Sequence, residues 1–249
     1  MRTLLQMEWE KSKKTTIWLI ILFMTGIPVV YGVVIYTKVM VGEYNSPFEN
    51  QWLMAWMITS LFYASVFLPM LSAMIASSLC RYEERGNNWL KLFTYPVKHE
   101  AHFFSKTVWL FMLLALAQIM ALALFLLLGS ILGIKGAVPW ATLFKSSLFG
   151  WMGVCGLSVI QFLIAYYLKS YIKSMILNVF LCCIAFLTAT SAAGQTFGMF
   201  YPWTMPYAGT VENSSGILPS LTQLFFLYTS GFLLVAMTAG QKIFIKRPH

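Results

Sequence analysis

Charge is scarce in this chain: 10% of its 249 residues are ionised side chains, aspartate is missing altogether, and the acids are eight glutamates. A soluble domain carries roughly 25% charged residues, so a chain this poor in them lacks the polar surface to stay in water. Cysteine is almost as sparse. Cys80, Cys155, Cys182 and Cys183 each lie in or at the end of an apolar run, which reads as packing rather than disulfide or metal chemistry. No phosphate-cradling G-x-x-x-x-G-K-[ST] loop occurs anywhere, so any ATP that drives this protein must be bound by another chain.

What is abundant is hydrocarbon. Hydrophobic residues make up 59% of the chain and the mean hydropathy is +0.73, the composition of an integral membrane protein. Disorder, a collagen-like fibre and a disulfide scaffold are excluded. The net charge of +9 would point to nucleic acid in a soluble domain, but in a membrane protein it is a topology signal, and no nucleic-acid partner is expected.

A membrane span needs about 20 apolar residues. Stretches free of Lys, Arg and Glu reach that length at Thr15–Thr37, Asn50–Cys80, Thr107–Ile134, Ser146–Leu168, Ser174–Val211 and Asn213–Gln241. The fifth run is too long for one helix and barely long enough for two, so its helix is placed at Ser174–Gly194. The remainder, Gln195–Gly216, is rich in Gly, Pro and aromatic residues, including Phe200, Tyr201, Trp203 and Tyr207. Such a composition suits the headgroup region, lying on the membrane or re-entering it briefly. These four aromatics form a candidate outer surface for cargo, beside the simpler reading of an interfacial anchor.

The cations test six spans independently. Arg2, Lys11, Lys13 and Lys14, five in Arg81–Lys106, Lys169 and Lys173, and Lys242, Lys246 and Arg247 fall on one side, against Lys38, Lys135 and Lys145 on the other. The positive-inside rule then puts both termini in the cytoplasm. Glu8 and Glu10 interrupt the N-terminal basic region, and the first apolar run is too long for a signal peptide, so it reads as a retained span. Before it, Met1–Lys14 forms a short surface helix with Leu5 and Trp9 on one face.

The spans hold almost no acids or bases, whereas ion-coupled transporters place ionisable groups inside the membrane. Gln118, Gln161, Asn178 and Gln223 remain as buried polar residues, each either an interhelical hydrogen bond or a lining of a translocation path. His99-Glu100-Ala101-His102 fails as a zinc-protease signature, because that motif needs its second histidine at position 103, which is Phe. No catalytic or metal site is assigned.

One inside loop, Arg81–Lys106, is substantial. Trp89, Leu90, Leu92 and Phe93 recur at helical spacing, and Pro96 ends that short amphipathic helix. It rests either on the bilayer or on a soluble partner. The pattern Glu8-Trp9-Glu10-Lys11, Glu83, Glu84, Asn88-Trp89, Leu92, Pro96-Val97 and Ser105-Lys106 resembles the permease subunits of bacterial ABC exporters, and within them those of lantibiotic (bacteriocin) immunity and bacitracin resistance. The resemblance implies an all-α, type V exporter-like membrane domain over residues 1–249, with six transmembrane helices, an amphipathic N-terminal helix (1–14), a cytoplasmic coupling loop (81–106) and a broken segment (195–216) between the fifth and sixth helices.

It further implies two paired permeases, identical or related, and a cytoplasmic ABC ATPase dimer carrying ATP and Mg, with no cofactor and no catalysis in this chain. Glu83, Glu84, Arg85, Asn88, Trp89, Pro96 and Lys106 would couple it to the ATPase. The expected setting is the bacterial cytoplasmic membrane, and the expected activity is export of an amphipathic antimicrobial peptide. A drug, lipid or polysaccharide cargo is the first alternative, and a non-transporting scaffold or sensor is the second.

Overall fold

The computed structural model describes residues 2–13, 15–40, 50–84, 99–190, 201–215 and 219–246. These residues form helices α1 (Arg2–Lys13), α2 (Ile17–Ile35), α3 (Gln51–Phe62), α4 (Leu68–Glu84), α5 (His99–Ile131), α6 (Trp140–Leu168), α7 (Tyr171–Thr190), α8 (Met205–Ser215) and α9 (Pro219–Lys246), with no strand among them. A wider π turn, Tyr36–Met40, prolongs α2, and a second, Tyr63–Phe67, joins α3 to α4. That second turn ends just before Pro69, which has no N–H to donate and whose ring crowds the carbonyl four residues back.

Five helical runs are long and apolar enough to cross a membrane: Ile17–Val39, Gln51–Glu84, Glu100–Ile131, Trp140–Leu168 and Tyr171–Thr188. The 28-residue α9 occupies the place of the remaining sequence-derived span. The runs overshoot the charge-free stretches. The second run continues to Glu84 and α5 starts at His99, so both ends of the expected loop Arg81–Lys106 are helical. At 33 residues and 1.5 Å per residue, α5 is about 50 Å long against a hydrocarbon core of about 30 Å, so its ends stand outside that core.

Local chemistry sets the boundaries. Asn50 caps α3 by accepting from the Trp52 N–H at 3.0 Å, and Lys169 stops α6 with φ of 47°. Gly133 and Gly136 adopt φ of 75° and 101° in the α5–α6 turn, a region L side chains rarely enter. The Asn50 amide donates to Ala137 O and Lys135 N donates to Gln51 Oε1, tying that turn to the start of α3.

The central helix is α6, packed against α4, α5, α7, α8 and α9. Glycines let it do so. A Cβ on Gly153 would lie 2.6 Å from Met205 O, and one on Gly209 would lie 2.5 Å from Phe149 O, so α6 and α8 meet backbone to backbone. The Gly129-x-x-x-Gly133 pair divides: Gly129 receives the Trp52 ring, where a Cβ would be 2.5 Å from Cζ3, while Gly133 faces open space. Gly194-x-x-x-Gly198 lies outside the described residues.

Residues 201–215 are therefore an inserted part of the bundle. Trp203, Thr204, Met205, Ala208 and Thr210 are buried, and Gly209 serves close packing against α6.

Candidate functional site

At the end of the bundle next to residues 85–98, three segments far apart in sequence share one ionic junction. Lys106 Nζ of α5 donates to Glu8 Oε1 of α1 at 2.9 Å and to Glu83 Oε1 of α4 at 2.8 Å. Lys11 Nζ donates to the same Glu83 oxygen and lies 3.6 Å from Glu8 Oε1. Glu8, Glu83 and Lys106 are 4%, 1% and 1% exposed, so the junction is sealed rather than a surface pairing. Two carboxylates against two ammonium groups leave no net charge, which is the condition for keeping ions out of water.

Neutral contacts brace it. Trp109 Nε1 donates to Ser12 Oγ at 2.8 Å and Trp18 Nε1 to Ser12 O at 3.1 Å. Trp9 sits edge-on to Trp18 and Trp109, with centroids 5.6 and 5.9 Å away. Nearby, Lys11 Nζ lies 5.7 Å over the Tyr82 ring and Arg81 lies 5.5 Å over the Tyr171 ring. The inward face of α1 thus carries Glu8 and Ser12, while Trp9 is 42% exposed. Sequence reasoning placed Leu5 and Trp9 on one face, where Leu5 packs against the core and Trp9 meets the two indoles, but it did not pair Glu8 or Lys11 with Glu83 and Lys106. A readable signal existed in the lone cation Lys106 at the start of an apolar span, which demands an acid.

Of the coupling residues inferred from the sequence, Glu83 and Lys106 meet in this junction and Glu84 follows at the last position of α4. Arg85, Asn88, Trp89 and Pro96 lie outside the described residues.

The intramembrane polar residues serve separate interfaces. Gln161 accepts from Ser72 Oγ at 2.6 Å and donates to Pro69 O at 3.0 Å, bridging α6 to α4 at the carbonyl beside the π turn. Asn178 donates to its own helix at Ser174 O, 2.8 Å away, and Ser77 Oγ donates to Ser174 Oγ at 3.1 Å. Gln118 lines a groove between α5 and α6. The side chain of Gln223 in α9 lies outside the described residues.

Among the outer aromatics, Tyr201 donates to Leu181 O at 3.0 Å and stacks on Trp203 with centroids 5.6 Å apart. Trp203 packs with Leu157, Cys182 and Ala185 in the interior, and Tyr207 is half-buried. Phe200 lies outside the described residues. Tyr201 and Trp203 therefore dock the segment onto α6 and α7.

Several apolar helices around a central one, with the N-terminal helix locked to the ends of two of them through a buried ionic junction, describe a multi-pass membrane protein. The family model described as ABC-2 family transporter protein matches residues 4–185. The chain belongs to the ABC-2 transporter family. It is an ABC transporter permease, and membership implies a partner ABC ATPase. The matched region takes in α1, the ionic junction and most of α7, and stops before α8. No curated protein matches the chain.

Proposed function

We propose that this permease is the membrane half of an ATP-driven exporter, and that the junction of Glu8, Lys11, Glu83 and Lys106 is where the ATPase acts on it. The observation that carries this reading is the position of the junction. It joins the end of α4, the start of α5 and α1, so a push on residues 85–98 reaches three helices through charge-assisted hydrogen bonds rather than through a flexible hinge.

In this reading the chain has six spans with α9 as the last and both termini in the cytoplasm of a bacterial cell. Hydrolysis, ATP and Mg belong to the cytoplasmic ATPase dimer, and a second permease, identical or related, completes the pathway. The cargo is an amphipathic antimicrobial peptide of the lantibiotic type, taken from the membrane to the outside for self-immunity or resistance. The absence of intramembrane charge suits such a cargo, as it also suits a drug or lipid.

Replacing Glu84 and Trp89 with alanine together tests the coupling assignment. The variant should insert normally, fail to retain the ATPase in a mild-detergent pull-down and lose peptide-stimulated ATP hydrolysis. Full ATPase retention and export by that variant would refute the assignment. Stable ATPase binding without transport of any cargo, whether peptide, drug, lipid or polysaccharide, would favour a scaffold or sensor.

A further inference from the structure

At the end of the bundle that holds the ionic junction, the ends of α4, α6 and α7 meet around Tyr171. The Arg81 guanidinium of α4 lies 5.5 Å over its ring, and Lys169 and Lys173 stand two residues to either side of it in the chain. All three cations are exposed, and none pairs with a carboxylate among the described residues. Glu8 and Glu83, the buried acids at this end, are held by Lys11 and Lys106. The corner therefore carries three positive charges that no ion pair neutralises.

Local structure disfavours a lysine at two of these positions. Lys169 ends α6 at φ of 47°, and it is the one residue other than glycine with positive φ among the described residues. Glycine or asparagine ordinarily fills that place, so a lysine held there is strained, although the C-terminal end of the α6 dipole favours its charge. Lys173 has no such compensation. It lies in the first turn of α7 (Tyr171–Thr190), where the helix dipole repels a cation. Orientation in the membrane requires cations on one side, not at these two positions. Charges kept where the backbone disfavours them point to a ligand that requires them.

Depth and surroundings narrow that ligand. The 20 residues of α7 span about 30 Å, the thickness of the hydrocarbon core. Unlike α5 it has no length left to project, so Lys169 and Lys173 stay at the level of lipid phosphates instead of reaching out to a soluble partner. Ile172, Ile176 and Phe180 follow one another four residues apart on one side of α7 and are 69%, 65% and 64% exposed. They form an apolar track that starts beside the cations and runs into the core. Tyr167, exposed in the last turn of α6, adds an aromatic of the kind that membrane interfaces favour.

We propose that the corner of Arg81, Lys169 and Lys173 is a docking site for an anionic phospholipid, with its phosphate among the three cations and an acyl chain along Ile172, Ile176 and Phe180. The proposal goes beyond the exporter reading and does not depend on it.

The test is native mass spectrometry of the detergent-solubilised full-length chain, titrated with phosphatidylglycerol or with phosphatidylcholine of matched acyl chains. Phosphatidylglycerol should bind saturably and ahead of phosphatidylcholine. A cation at a lipid surface contributes about fivefold in affinity, so Lys173→Gln should weaken binding about fivefold, and Arg81→Gln with Lys173→Gln about 25-fold. Lys135→Gln, which removes an exposed cation at the other end of the bundle, should leave it unchanged.

Lys169→Gly separates ligand from fold. It relieves the left-handed residue, so without added lipid the variant should melt no lower than the parent while its phosphatidylglycerol affinity falls about fivefold. A clear fall in melting temperature would show a lysine that the fold itself needs and would overturn the proposal. Equal affinity for the two lipids, or an equal loss in Lys135→Gln, would overturn it as well. Loss of ATPase capture by the double variant with phosphatidylglycerol binding intact would assign the corner to an acidic face of the ATPase instead. Lipid binding is read without ATP, ATPase or cargo, so its failure leaves the exporter reading standing, and a failed export assay leaves the lipid site standing.

Discussion

Two junctions hold this permease together, and they are built from opposite materials. Where α1, α4 and α5 meet, four charged side chains converge, with Lys106 2.9 Å from Glu8 and 2.8 Å from Glu83. Where α3, α6 and α8 meet, the contacts among the described residues are neutral hydrogen bonds and close backbone packing. Trp56 Nε1 donates to Ser146 Oγ at 2.8 Å, Ser146 Oγ donates to the Thr210 carbonyl, and Gly153 and Gly209 bring the backbones of α6 and α8 together. Ions need exact partners and lose most when one partner leaves, whereas glycine contacts are lost gradually as helices separate. The first junction therefore suits a switch with two discrete arrangements, and the second suits a fixed frame.

The largest effect should come from breaking the ionic side of the comparison. Lys106→Met leaves Glu8 and Glu83 buried with only the partly exposed Lys11 to serve them, and loss of one partner from a buried cluster costs about 3–5 kcal/mol. Chemical denaturation of the detergent-solubilised protein should show that loss, and Lys106→Met with Glu83→Gln should recover part of it by restoring charge balance. A single variant as stable as the parent would mean that water reaches the junction and the ions are not sealed.

A smaller effect is expected from the frame. Gly153→Ala places a methyl 2.6 Å from Met205 O and 2.8 Å from its carbonyl carbon, against backbone that has no rotamer to retreat into. Overpacking of this kind costs about 1–3 kcal/mol. Gly231→Ala has nothing within 4 Å of the added carbon and serves as the control. If Gly153→Ala and Gly231→Ala melt together, α8 does not sit in α6 as described.

The two junctions also differ in how much of them the sequence discloses. Apolar runs free of charge declare the spans, because a helix in hydrocarbon must be apolar around most of its surface. The helices nevertheless run past those runs to Glu84 and back to His99, since Glu83 and Lys106 neutralise each other inside the protein, a pairing over 23 positions that no local pattern encodes. Glu8, Lys11, Glu83 and Lys106 were all legible through family resemblance as pattern residues, while their convergence on one junction was not. The segment around Tyr201–Tyr207 is a different case. Its prolines, glycines and aromatics describe, by composition, a segment that lies on the membrane or re-enters it briefly, and the opposing glycines of α6 are what let residues 203–210 pack into the bundle.

The smallest effect tests whether hydroxyls in the frame are worth anything beyond packing. Ser146 accepts from Trp56 and donates to Thr210 O, so Ser146→Ala leaves the indole N–H without its acceptor and takes one donor from the Thr210 carbonyl. In water-soluble cores a stranded buried group costs about 1–3 kcal/mol, but within membranes interhelical hydrogen bonds average about 0.6 kcal/mol, with a maximum near 1.7. Gln161→Leu breaks the equivalent α4–α6 bridge to Ser72 and Pro69, so the pair should fall together at the membrane value. A double-mutant cycle of Ser146→Ala with Trp56→Phe isolates the Trp56–Ser146 bond from the Thr210 one. Coupling near 0.6 kcal/mol would assign the frame's strength to glycine packing. Coupling well above 1.7 kcal/mol would show a dry polar network that rivals the ionic junction, and the contrast between switch and frame would collapse.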